Sequence, residues 1–134
     1  MGELRLSNPS TIHTPPGYSH IAEVTNGTLI YVSGQVALDA DGTLVGKDDY
    51  AAQARQVFEN LSAALRSVGA HFHNVVKLNY YCVDTVDPAI QLSVIRAVRD
   101  DFVNRAAPPV STFVVVRRLA RPELLIEVEA VAHR

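Results

Sequence analysis

Two β-prone runs near the end of the chain decide the fold: Pro108-Pro109-Val110-Ser111-Thr112-Phe113-Val114-Val115-Val116 and Leu125-Ile126-Glu127-Val128-Glu129-Ala130-Val131. In the second run, apolar residues alternate with Glu127 and Glu129. A period of two places the apolar side chains on one face of a sheet and both carboxylates on the other. Two neighbouring carboxylates repel each other, so water, a cation or a site must face them. On the alternation alone, a solvated sheet face is the simpler interpretation.

Composition indicates one globular domain, residues 1–134, without a disulfide. The sequence is 48% hydrophobic, and 12 basic residues nearly balance 14 acidic ones. This balance gives no electrostatic reason to expect nucleic acid or an anionic membrane as a partner. The single cysteine, Cys82, cannot form an internal disulfide, and no apolar run is long enough to cross a bilayer. We therefore expect a cytoplasmic protein.

The hydrophobic pattern predicts the element order β-β-α-β-α-β-β. Residues 1–17 contain several prolines and are expected to form an extended N-terminal arm. Asn26-Gly27, between two β-prone runs, is typical of a hairpin with a type I′ turn. Helices are predicted over about Asp49–Val68 and from Pro88 to about Asn104, with a strand, Val75–Val83, between them.

Helical periodicity predicts which side chains these helices bury. In the first helix, Gln53 falls on the polar face, Asp48 or Asp49 can cap the start, and Gly69 follows the end. In the second helix the predicted buried stripe contains five residues, which are Ile90, Val94, Ala97, Val98 and Phe102.

Two amphipathic helices can cover only one face of a mixed sheet of four to six strands, which predicts an α+β two-layer domain. The second face would carry both apolar and polar side chains: Tyr31, Tyr81, Phe113 and Val115 beside Ser33, Asn79, Glu127 and Glu129. An uncovered apolar patch of this kind usually marks an interface, so we expect a homo-oligomer.

Several segments carry a family resemblance: Pro16-Gly17-Tyr18, Ser33-Gly34-Gln35, Ala51-Ala52-Gln53-Ala54-Arg55-Gln56, Val75-Val76-Lys77 and Ile126-Glu127-Val128-Glu129-Ala130-Val131-Ala132. Together they resemble the Rid family, the YjgF-like enamine/imine deaminases also called L-PSP endoribonucleases. The resemblance covers roughly residues 16–132. It implies a chorismate-mutase-like subunit and a homotrimer whose sheets form a central barrel, with a small-molecule cleft at each subunit boundary.

The resemblance also implies an activity and a set of site residues. Active members hydrolyse imines and enamines such as 2-iminopropanoate and release ammonia, without a metal or organic cofactor. Glu127 corresponds to the catalytic glutamate that positions the attacking water, Tyr18 to the tyrosine of the arm, and Ser33-Gly34 to a backbone contact with the substrate. Ser93 stands where deaminases often carry asparagine, and Thr112 where they often carry cysteine.

Val110 departs from the family pattern, because active deaminases have an arginine there that holds the substrate carboxylate. Valine offers a carboxylate no hydrogen-bond donor, so we expect a substrate other than 2-iminopropanoate. Three functions stay open: a deaminase with an altered substrate, a trimer that binds a metabolite without converting it, and a protein-interaction role. Another arginine that could reach the cleft would come from a set of four, Arg105, Arg117, Arg118 and Arg121.

Two further clusters suggest no additional chemistry. His71 and His73 supply too few ligands for zinc, so no metal is expected. The arginines at positions 117, 118 and 121 have no interleaved aromatic residues to stack on bases, so the residues give no support for a ribonuclease.

Overall fold

The computed structural model describes residues 2–134 and contains six strands and two α-helices. In chain order these are β1 (Glu3–Ser7), β2 (Ile21–Thr25), β3 (Leu29–Gln35), α1 (Tyr50–Ser67), β4 (Val75–Val83), α2 (Pro88–Arg99), β5 (Val110–Val116) and β6 (Ile126–His133). Among these residues, no helix is both long and apolar enough to cross a membrane.

The main sheet has the strand order β3-β6-β4-β5, in which β4 and β5 are parallel and the other pairs are antiparallel. Both helices contribute to one buried core. The predicted α+β two-layer fold is therefore confirmed. Because β6 lies inside the sheet, its apolar residues Ile126, Val128 and Ala130 are buried, and the predicted alternation is correct.

The N-terminal region contains one strand more than predicted. β1 lies within the predicted arm and pairs antiparallel with β2, from Glu3 opposite Thr25 to Ser7 opposite Ile21. Met1, the first residue of the predicted arm, lies outside the described residues. The arm beyond β1 reaches the start of β5, where Ser19 forms a parallel bridge with Val110.

The predicted hairpin at Asn26-Gly27 is wrong in its pairing. Both residues have the positive φ that a type I′ turn requires, 58° and 84°. However, β2 pairs with β1, and β3 pairs with β6. Gly27 packs against the chain ends, where an added Cβ would lie 2.8 Å from the Cα of Gly2. The turn therefore redirects the chain from the small sheet into the main sheet.

Helix α1 has the predicted caps, but one of its polar residues is buried. The Asp49 carboxylate accepts a hydrogen bond from the Ala52 amide at 3.0 Å, and Gly69 follows the helix with a φ of 75°. Gln53, predicted on the polar face, is fully buried. Its Nε2 donates to the carbonyls of Gly46 and Glu123, and its Oε1 accepts from the Leu125 amide at 2.9 Å. This side chain therefore connects α1 to the residues that directly precede β6.

Helix α2 is shorter and rotated relative to the prediction. It ends at Arg99 and buries Gln91, Ile95 and Val98, whereas Ile90, predicted to be buried, is 55% exposed. Ala97 is also exposed. The Gln91 Nε2 donates to the Val83 carbonyl at 2.7 Å. This bond connects the buried face of α2 to the end of β4.

The predicted phase of β5 is wrong by one residue. Phe113 pairs with Tyr80 and Val115 with Cys82, so both lie on the helix side of the sheet. The uncovered face instead carries Val110, Thr112 and Val114 from this strand. The other residues predicted on that face, which are Tyr31, Ser33, Asn79, Tyr81, Glu127 and Glu129, are partly or largely exposed.

Candidate functional site

The uncovered sheet face holds a hydrogen-bonded carboxylate, Glu129. Its Oε1 accepts hydrogen bonds from the Tyr81 hydroxyl at 2.7 Å and the Asn79 amide at 3.0 Å. These bonds, first that from Tyr81 and then that from Asn79, hold the pKa of Glu129 below its ordinary value. The hydrogen bond from Tyr81 to Glu129 also raises the pKa of the Tyr81 phenol. Neutral donors thus contribute most to stabilising the charge of Glu129, and the positive charge of Lys77 adds a smaller effect.

Glu127 lies two residues before Glu129 on the same face and in a different environment. Within residues 2–134 it accepts no side-chain hydrogen bond. Partial burial raises the pKa of the Glu127 carboxyl, and the negative charge of Glu129 raises it further. A carboxylate with unoccupied oxygens and a raised pKa is suited to accept a proton from water.

Gly34 is the residue against which the Glu127 side chain packs. β3 is irregular between Val32 and Gln35, at the point where it passes β6. A Cβ added at Gly34 would lie 2.8 Å from Cδ and 2.9 Å from Cγ of Glu127, inside ordinary contact distance. The carboxylate therefore occupies space that any side chain at position 34 would fill. Ser33, Gly34 and Glu127 form one group, which we call the glutamate group.

A second group lies at the β5 edge. The Ser19 hydroxyl and amide donate to the carbonyls of Pro108 and Pro109, at 2.5 and 3.2 Å, and this fixes the arm beside β5. Tyr18 and Thr112 line a cavity of about 450 Å³ between the arm, α2 and β5. We call Tyr18, Val110 and Thr112 the arm group. The Tyr18 hydroxyl is hydrogen-bonded to Nε2 of His13 at 2.9 Å.

The two groups do not meet within one chain. β3 and β5 are the outer strands of the main sheet, with β6 and β4 between them. At about 4.8 Å per strand, Ser33 and Thr112 are separated by roughly 14 Å. Ser93 joins neither group: it is exposed on α2 and forms no side-chain hydrogen bond with any described residue.

Sequence reasoning missed two arginines that line a cavity together with Tyr18 and Thr112. Arg96 and Arg99 of α2 line the cavity that contains Tyr18 and Thr112. Their spacing of three places them on one helix face. The sequence prediction buried Ile90, whereas the helix buries Gln91. Because of this difference in helix phase, the prediction did not place Arg96 and Arg99 beside β5.

The arginines considered from the sequence have other contacts in three of four cases. Arg105 pairs with Asp100 at 3.4 Å and Arg121 with Glu123 at 2.7 Å. Arg118 donates to the backbone carbonyls of Leu119 and Ala120. Arg117 lies with Arg118 at a different cavity, near the start of the loop after β5. In the described part of the chain, no group of three or more His, Cys, Asp or Glu side chains is arranged to hold a metal ion.

Comparison with known proteins identifies the family. Residues 9–134 match the family model described as Endoribonuclease L-PSP. The chain belongs to the Rid family. A RutC family protein of Synechocystis is 33% identical over 130 residues, which cover 96% of this chain and 95% of the relative.

Solved structures share the fold over most of the chain. The Rid family protein YyfB of Yersinia pestis, described as a protein of unknown function, superposes with a TM-score of 0.87 at 38% identity, covering 98% of both chains. TdcF of Escherichia coli, whose structure contains bound serine, gives a TM-score of 0.67 at 27% identity, covering 81% of this chain and 82% of TdcF.

Proposed function

We propose that this Rid protein is a homotrimer that hydrolyses an imine or enamine other than 2-iminopropanoate in clefts between its subunits. The observation that carries this proposal is the position of Glu127. Its carboxylate is partly buried, has a raised pKa and rests on Gly34, while the arm group lies across the sheet. One chain therefore holds two separate parts of the site that the family resemblance implies.

Assembly would bring these two parts together. The uncovered sheet face exposes large apolar side chains, including Tyr31 at 75% and Leu29 at 51% of their surface. Patches of this kind are unfavourable in water and are typical of interfaces. In a closed trimer, the β5 edge of one subunit would face the β3 side of the next. Tyr18 and Thr112 would then lie opposite Ser33, Gly34 and Glu127.

Glu127 would act as the general base of the reaction. Its carboxylate takes a proton from water as the water oxygen attacks the imine carbon, and the electron pair of the C=N bond moves to nitrogen, which is protonated. Glu127 passes its proton to that nitrogen, which gives a neutral aminol. Glu127 then takes the hydroxyl proton of the aminol and transfers it to nitrogen as the C–N bond breaks, so that the C=O bond forms and ammonia leaves. The products are a carbonyl compound and ammonia, and no redox cofactor is needed to balance the step.

Val110 is the reason to propose a different substrate. At the edge of a cleft it offers no donor to a carboxylate, whereas transferring that anion from water remains costly. We therefore expect slow hydrolysis of 2-iminopropanoate by the wild-type protein. A faster rate is expected for Val110→Arg, because that variant restores the family arginine while Tyr18, Ser33-Gly34 and Glu127 stay in place.

The test is ammonia release from a panel of imines. An amino-acid oxidase generates the imines in situ from different amino acids, and ammonia or semicarbazone formation is followed with and without the protein. Turnover of at least one imine that is lost in Glu127→Gln supports the proposal. If no imine in the panel is hydrolysed faster than in water, the deaminase proposal is wrong.

A metabolite-binding trimer without catalysis is the second candidate, and two observations favour it. Val110 removes the arginine that the family uses for substrate, and the relative TdcF was crystallised with serine bound. Saturable binding of amino acids or 2-oxo acids, measured by calorimetry, without turnover of any imine would support this candidate over the first.

A further inference from the structure

The cavity between α2 and β5 has the size and lining of a small-molecule site. Its volume of about 450 Å³ falls within the range of ligand pockets. Its apolar wall consists of Leu92 and Ile95 from α2 and Phe113 from β5. This wall can hold a branched or aromatic group, and a methyl group would leave most of it unfilled.

Charge in this cavity is unbalanced. The Arg99 guanidinium is already used, since Nη1 donates to the Gly17 carbonyl at 2.7 Å and Nη2 contacts the Asp100 carboxylate at 3.1 Å. Arg96 forms no ion pair or side-chain hydrogen bond with any residue from 2 to 134. No aspartate or glutamate in that range lines the cavity. Arg96 therefore supplies a positive charge that no described group neutralises.

Uncharged donors accompany this arginine. Tyr80 is only 4% exposed and lines the cavity, and its hydroxyl makes no hydrogen bond within the described chain. Burial raises the pKa of Tyr80, so that its phenol remains a donor at neutral pH. Ser111 supplies a further hydroxyl on the same wall. A ligand with acceptor oxygens would satisfy these groups.

We propose that this cavity binds a small carboxylate with a bulky apolar group, anchored by Arg96. The guanidinium contacts the carboxylate, and Leu92, Ile95 and Phe113 surround the apolar group. Because Tyr18 and Thr112 line the same cavity, this inference rests on the proposed function. It names the substrate class as imines that carry both a carboxylate and a branched or aromatic side chain. Arg96 takes the role that Val110 cannot perform, from a different element of the fold.

Three probes test this inference by isothermal calorimetry. They are 4-methyl-2-oxopentanoate, its neutral counterpart 4-methylpentan-2-one, in which a methyl group replaces the carboxylate, and pyruvate, which lacks the branched group. The first should bind at least about tenfold more tightly than either of the others, because it alone satisfies both Arg96 and the apolar wall. Equal affinity for all three, or no binding of the first, would overturn the inference.

Arg96→Gln provides the residue-specific test, with Arg66→Gln on α1 as the matched control. Arg96 is exposed, so the variant should unfold at the wild-type temperature. It should bind 4-methyl-2-oxopentanoate about tenfold or more weakly, while its affinity for the neutral ketone stays unchanged. The Arg66 variant should bind as wild type does. An Arg96 variant with wild-type affinity for the oxo acid would contradict the assignment.

Turnover separates this inference from the proposed function. Imine hydrolysis that requires Glu127 but is unaffected by Arg96→Gln would overturn the role of Arg96 and leave the deaminase proposal standing. Binding of the oxo acid that requires Arg96, with no hydrolysis of any imine, would support the inference and remove the deaminase proposal.

Discussion

Gly34→Ala should disable the site without unfolding the protein. Gly34 does not have a positive φ, so alanine can adopt its backbone conformation. Its new Cβ would lie 2.8 Å from Cδ of Glu127, whereas ordinary contact begins at 3.4 Å. The obstacle is the end of a flexible side chain, which can rotate away. We expect the free energy of unfolding to change by less than about 1 kcal/mol.

The catalytic effect follows from the displacement of the carboxylate. Relief of the contact moves Cδ by at least about 0.6 Å, and misplacement of a catalytic group by about 1 Å can cost 100-fold in rate. We therefore expect kcat/KM to fall about 10- to 100-fold, equivalent to about 1.4 to 2.7 kcal/mol of transition-state stabilisation. The assay is ammonia release from the imine that wild type hydrolyses fastest, with thermal unfolding measured in parallel.

Two controls make this result specific. Gly42→Ala introduces a methyl group where nothing lies within 4 Å, so it should keep the wild-type rate even though its positive φ disfavours alanine. In a Glu127→Gln background, Gly34→Ala should cause little further loss, because both changes act on the same side chain. A Gly34→Ala protein with the wild-type rate would refute the idea that this contact positions Glu127.

Further variants test other parts of the account. Tyr31→Glu should lower the mass measured by light scattering from about 44 kDa, three chains of 14.6 kDa, toward that of one chain, whereas Ile90→Glu, at another exposed apolar position, on α2, should not. Glu129→Gln removes the negative charge that raises the pKa of Glu127, so the Glu127 carboxyl carbon should titrate at lower pH in NMR spectra, and the acidic limb of the rate profile should move the same way; an unchanged titration would contradict this. Gln53→Ala should lower the free energy of unfolding by about 2 to 4 kcal/mol in urea, since three backbone groups lose their buried partner; a loss below 1 kcal/mol would show that water replaces it.

Elements with an unambiguous period were predictable from sequence. The alternation around Glu127 and Glu129 gave the correct faces of β6, and Asp49 with Gly69 marked the ends of α1. By contrast, Val114-Val115-Val116 has no alternation, so nothing in the sequence distinguishes its two phases. Pairing with β4 sets the phase instead, and a shift of one residue moves every side chain to the other face.

The local sequence pattern could not predict which side-chain amides are buried or which strands pair with each other. Gln53 and Gln91 look like surface residues, yet each satisfies backbone groups in the core, and Gln91 sets the rotation of α2. That rotation decides whether Arg96 faces the cavity. Asn26-Gly27 predicted its own backbone conformation correctly but could not specify which strands pair on either side.

Mixed trimers test the central claim, that each site is built from two subunits. Tyr18→Phe disables the arm group and Glu127→Gln disables the glutamate group, so each variant alone should be nearly inactive. When the two are co-expressed with different tags and the mixed oligomers are purified through both tags, each mixed trimer should contain one intact site among its three subunit boundaries. We predict imine hydrolysis near a third of the wild-type rate per subunit. Activity no greater than that of the separate variants would contradict a shared site.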